Sequence, residues 1–100
     1  MYLVSFSGQA SKDKILLKAA GLEQKTKSIL NILIENPFQN PPPYEKLIGN
    51  LSGFYSRRIN LQHRLVYKKE KNTEQLKNPA GEIYEGIICV KRMWTHYEQT

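Results

Sequence analysis

One cysteine, one aspartate and two histidines are a thin supply of catalytic and metal-binding side chains for a chain of 100 residues. The lone Cys89 excludes an internal disulfide and a cysteine-based zinc cluster. His63 and His96 lie far apart in sequence, and no run of His, Cys, Asp or Glu has metal-ligand spacing. The six glycines are dispersed, so no glycine-rich phosphate loop is present. Long apolar runs are missing too: Ile15-Leu16-Leu17 and Ile87-Ile88-Cys89-Val90 fall far short of a bilayer span. The first residues, Met1 to Phe6, have neither the basic start nor the apolar stretch of a secretory signal. These absences predict a soluble, cytoplasmic, single domain over residues 1–100, with no cofactor and no metal. At 40% hydrophobic residues, the chain has enough apolar side chains to build a core.

Acidic residues are also scarce where they would matter. The chain carries 15 Lys and Arg against 9 Asp and Glu, a net charge of +6. Residues 41–69 hold Lys46, Arg57, Arg58, Arg64, Lys68 and Lys69 against Glu45 alone. A planar guanidinium binds two phosphate oxygens at once, so clustered arginines point to a phosphate-rich partner. Charge alone fits a basic surface tuned for solubility better.

The hydrophobic pattern predicts a short strand from Tyr2 to Phe6 and then two helices. The first is expected to bury Ile15, Leu16, Ala19 and Ala20, leaving Lys12, Lys14, Lys18 and Asp13 on its polar side. Gly21 is its expected stop. The second helix is expected from Leu22 to Glu35, with Leu22, Ile29, Leu30, Leu33 and Ile34 apolar, and Asn36-Pro37 ends it. Pro37 to Pro43 reads as a loop. Strands follow at Tyr44–Gly49, Phe54–Asn60, His63–Lys69 and Ile83–Trp94, with a polar loop or hairpin tip over Glu70–Gly81. The order is β-α-α-β-β-β-β. That is an α+β domain, a two-helix hairpin on one face of a mostly antiparallel twisted sheet.

Cys89, inside an apolar strand, reads as a small buried hydrophobe. A Ser-His-Asp set is disfavoured by the single aspartate. The remaining chemistry-bearing residues are Glu45, Arg57, Arg58, His63, Arg64, His96 and the tyrosines Tyr44, Tyr55 and Tyr97. RNA cleavage without a metal needs a base for the 2′-hydroxyl, an acid for the departing 5′-oxygen, and cations for the phosphate. Glu, His and Arg suit those roles. Each residue also has a plainer explanation, and composition and spacing alone favour simple nucleic-acid or protein binding over a nuclease.

A specific resemblance alters that balance. The run Asn50-Leu51-Ser52-Gly53-Phe54-Tyr55-Ser56-Arg57-Arg58-Ile59, followed by His63-Arg64-Leu65-Val66-Tyr67, closely resembles the YoeB/Txe family of type II toxin–antitoxin toxins, within the RelE-like group. Asn36-Pro37-Phe38, Tyr44-Glu45-Lys46-Leu47 and the late His96-Tyr97 are similar to that family as well. The resemblance implies a RelE-like fold and an endoribonuclease that cuts mRNA in the ribosomal A site. It implies Glu45 as general base, Arg64 and Arg58 as phosphate-stabilising cations, His96 as general acid and Tyr97 as a positioning residue. It further implies a YefM-like antitoxin as partner, and dimers of the toxin occur in the group. A non-catalytic toxin on the same fold, for example one directed at gyrase, is the alternative.

The chain departs from the family at Lys46, where proline is common, and at Ile48, where a basic residue is common. It also has a longer 70–81 loop, the extra residues Met93-Trp94-Thr95, and a tail beyond Tyr97. Strand alternation separates the paired arginines. Arg58 shares a face with Phe54 and Ser56, and Arg57 with Tyr55 and Ile59. Alternation alone does not say which face is the site, and the resemblance selects Arg58. Arg57 is expected to make a surface ion pair or a ribosomal RNA contact, Lys68 and Lys69 to be docking charges for ribosomal RNA, and Tyr44 and Tyr55 either to stack on bases or to pack on the sheet.

Overall fold

The computed structural model describes residues 1–94. Strand β1 (Leu3–Phe6) leads into helices α1 (Gly8–Ala19) and α2 (Glu23–Glu35), and strands β2 (Glu45–Lys46), β3 (Tyr55–Arg58), β4 (Arg64–Glu70) and β5 (Ile87–Arg92) follow. The sheet order is β1-β5-β4-β3-β2. Among the described residues the β1–β5 pair is the one parallel pair, so the predicted order and the mostly antiparallel sheet are both present.

The Ser7 hydroxyl accepts from the Ala10 backbone N–H at 3.0 Å and starts α1. The buried stripe of α1 is Ala10, Asp13 and Leu17, not the expected one: Ile15 is 71% exposed, and Leu16, Ala19 and Ala20 also face outward. Hydropathy ranks an aspartate as a surface residue, and here a set of hydrogen bonds reverses that rank. In α2 the pattern holds, with Ile29 and Leu33 buried and Leu22 and Leu30 packed against the core. Leu17, Leu33, Leu65, Tyr67, Ile88, Val90 and Met93 fill the layer between helices and sheet.

Several strands are shorter than predicted. β2 has two residues, after which the chain turns through a 3₁₀ segment, Gly49–Leu51, and closes with the Leu47 N–H donating to the Phe54 carbonyl at 2.9 Å. Gly53, at φ +92°, supplies the left-handed backbone that this turn requires. Residues 83–86 belong to a side hairpin rather than to the last strand. There the Asn72 side chain donates to the carbonyls of Leu76 and Tyr84, and Lys77 bridges to Ile83. The hairpin rejoins the sheet at Gly86, where a Cβ would lie 2.9 Å from the Glu70 carbonyl oxygen.

Candidate functional site

The helices cover one face of the sheet; the other, the open face, buries Ser56 and Val66 and exposes Glu45 and Arg58. Opposed residues of an antiparallel pair share a face, and the register matches Glu45 with Ser56, Ser56 with Val66, and Arg58 with Arg64. Glu45, Ser56, Arg58 and Arg64 therefore stand together on the open face. Glu45 Oε2 lies 3.2 Å from Arg64 Nη1, which also donates to Ser56 Oγ at 3.2 Å. Arg64 is 13% exposed and Glu45 51% exposed, so a well-held cation sits beside a reachable carboxylate. Arg58 is exposed directly across from Arg64. Like charges placed directly opposite repel unless an anion is shared between them.

Arg57 has a different place from the one predicted. It is 1% exposed and points to the helix side. Its guanidinium donates to the carbonyls of Pro42 (2.7 Å), Pro37 (3.0 Å) and Gln39 (2.7 Å) and to the Tyr67 hydroxyl (3.3 Å). Tyr67 itself donates to the Pro37 carbonyl at 2.7 Å. A proline-rich loop has carbonyls and few N–H groups to satisfy them, and Arg57 supplies the missing donors. It is a structural clamp, not a docking charge. Burial raises the pKa of the Tyr67 hydroxyl and keeps it a donor. Tyr44 and Tyr55 pack with Phe38 and Tyr67 at ring separations of 4.9–5.9 Å, so they belong to the sheet rather than to a base-stacking surface.

His63 is buried and stacks on Trp94, with ring centres 3.7 Å apart. Its Nδ1 has no hydrogen-bond partner among the described residues. His96 and Tyr97 lie outside the described residues.

Asp13 is the feature that hydropathy misplaced. Fully buried, its Oδ2 accepts from Arg92 Nε (3.0 Å) and from the backbone N–H groups of Met93 (2.9 Å) and Trp94 (3.2 Å), while Oδ1 accepts from Gln9 (3.2 Å). Burial pushes this carboxyl up, but hydrogen bonds from Met93, Gln9, Arg92 and Trp94 outweigh that and hold it below the usual carboxylate range. The carboxylate ties α1 to the chain leaving β5. Its only sequence signal was being the single aspartate, on a helix whose other charges are lysines.

Residues 7–78 match the family described as the YoeB-like toxin of bacterial type II toxin-antitoxin systems. The chain belongs to that family. A YoeB toxin from Synechocystis is 44% identical over 55 residues, 55% of this chain and 57% of that protein. The chain thus matches little more than half the length of this relative. YoeB from Staphylococcus aureus, solved both in a YoeB-YefM complex and as a dimer, is 28% identical, with TM-scores of 0.68 and 0.70. These superpositions cover 97% and 96% of this chain, and 99% and 98% of the S. aureus chains. The YoeB/ParE toxin from Agrobacterium tumefaciens shares the fold at 21% identity, with a TM-score of 0.76 over 95% of this chain and 99% of that one. Within the YoeB-like match fall Glu45, Arg58 and Arg64, the residues that the sheet brings to one face.

Proposed function

We propose that this YoeB-family toxin is a metal-independent endoribonuclease that cleaves mRNA in the ribosomal A site and so stops translation. The observation that carries the reading is the Glu45–Arg64 pair at 3.2 Å, with Arg58 opposite it on the uncovered face. Glu45 takes the proton from a ribose 2′-hydroxyl, whose oxygen then bonds to the adjacent phosphorus. The bond from phosphorus to the 5′-oxygen breaks, and that oxygen receives a proton from His96. Arg64 and Arg58 stabilise the charge that accumulates on the phosphate oxygens. Tyr97 positions the substrate. A YefM-like antitoxin binds the toxin, as the complex of the S. aureus relative supports, and restrains the activity by covering this face; the toxin pairs with a second copy, as the dimer of that relative supports.

The ends of the RNA products test the mechanism. The expected products carry a 2′,3′-cyclic phosphate and a 5′-hydroxyl, form in the presence of EDTA, and diminish sharply with His96→Gln. Products with a 5′-phosphate would refute the mechanism. Growth arrest without any RNA cleavage would favour the non-catalytic toxin instead.

A further inference from the structure

The open face continues beyond the Glu45–Arg64 pair. Regular alternation along β4 puts Lys68 on the face of Arg64 and Val66, about 13 Å along the strand from Arg64. On β5, Val66 pairs with Arg92 and Tyr67 with Val90, so Lys91 is the extra residue of a bulge. Bulges re-aim side chains, and this one turns Lys91 toward β3. The Nζ atoms of Lys68 and Lys91 each lie 5.4 Å from the centre of the Phe54 ring. Together with Ser5 and Cys89 these three residues line a groove of about 250 Å³.

Two ammonium groups converge on one partly exposed ring, and the only ion pair between them and the described acids is Lys68–Glu70 at 2.8 Å. Aromatic faces accept nucleobases of any sequence, and flanking cations hold the backbone.

We propose that Phe54, Lys68 and Lys91 form a second nucleotide subsite, in which a base stacks on Phe54 and a neighbouring phosphate lies between the two lysines. Single-stranded RNA as the occupant rests on the endoribonuclease reading. The subsite holds the strand running on from the phosphate at Arg64, and contributes binding rather than chemistry.

Binding of a six-nucleotide RNA, made uncleavable by 2′-deoxy substitution, tests this by fluorescence anisotropy on the full chain. Lys68→Gln with Lys91→Gln should weaken binding about tenfold and flatten the salt dependence by about one phosphate's share. Phe54→Leu should weaken it about fivefold or more. Lys12→Gln with Lys18→Gln removes equal charge from exposed positions of α1 and should change binding less than about twofold. Equal weakening by both lysine pairs, or no binding by the unaltered protein, would overturn the subsite. If binding depends on Phe54 and the two lysines while natural RNA stays uncut, the subsite stands and the nuclease reading falls. If natural RNA is cut while binding is unchanged in the variants, the subsite falls and the nuclease reading stands.

Discussion

Arg57 and Arg58 are neighbours in sequence with opposite fates, and strand geometry is the whole cause. Successive side chains alternate faces, so one arginine enters the interior beneath the proline-rich loop and the other stays on the face of Arg64. A buried guanidinium is tolerable only when its donors are satisfied, and the carbonyls of Pro37, Gln39 and Pro42 with the Tyr67 hydroxyl do this for Arg57. Arg57→Met keeps most of the bulk and strands those acceptors. It should cost about 3 kcal/mol in denaturant unfolding. Arg58→Met, on the open face, should cost less than about 0.5 kcal/mol. Alternation in the sequence separates the two arginines correctly, but alternation does not say which face is covered. The docking role expected of Arg57 failed for that reason. The proline-rich loop was the available clue, because its surplus of carbonyls needs a donor.

Among the elements, the junction of α1 with the end of β5 has the least ordinary design. A carboxylate inside the core joins three consecutive residues, Arg92 to Trp94, to the helix. Because the folded-state pKa of Asp13 is depressed, its contribution is present above the unfolded value of about 3.9 and is lost as pH falls through the folded one. Urea unfolding should therefore show stability falling as pH drops below about 4. Asp13→Asn should be about 2 kcal/mol less stable at pH 7 and lose less on acidification. An acid-side slope equal to that of the unaltered protein would contradict this role for Asp13. The first helix was legible in the sequence as a helix, but not in its orientation. Periodicity assumes that apolar residues face inward, and a charged residue with four donors breaks that assumption. The second helix follows the rule more closely: Ile29 and Leu33 of the expected stripe are buried, Leu22, Leu30 and Ile34 are half-buried, and Thr26 is buried beside them. Strand ends were less legible: the polar run announced a loop or hairpin tip over 70–81, but the Asn72 side chain also ties in Tyr84, which takes residues 83–86 out of the last strand.

For the whole molecule, the sheet sorts the excess positive charge. Arg58, Arg64, Lys68 and Lys91 are spread along the open face, on which Glu45 pairs with Arg64 and Glu70 with Lys68. The basic stretch in the sequence pointed only to a phosphate-rich partner; of its cations, Arg57 is a buried clamp, while Arg58, Arg64 and Lys68 lie on the face away from the helices. Family resemblance identified Glu45, Arg58 and Arg64, and the sheet register explains how residues 45, 58 and 64 meet. The proposed function stands or falls on RNA cleavage by the Glu45–Arg64 pair. The rate at which Glu45→Gln cuts mRNA on ribosomes decides it, with the thermal unfolding midpoint taken alongside. A fall of about a hundredfold or more with an unchanged midpoint is the predicted result. Cleavage at the original rate by a folded Glu45→Gln protein would contradict it.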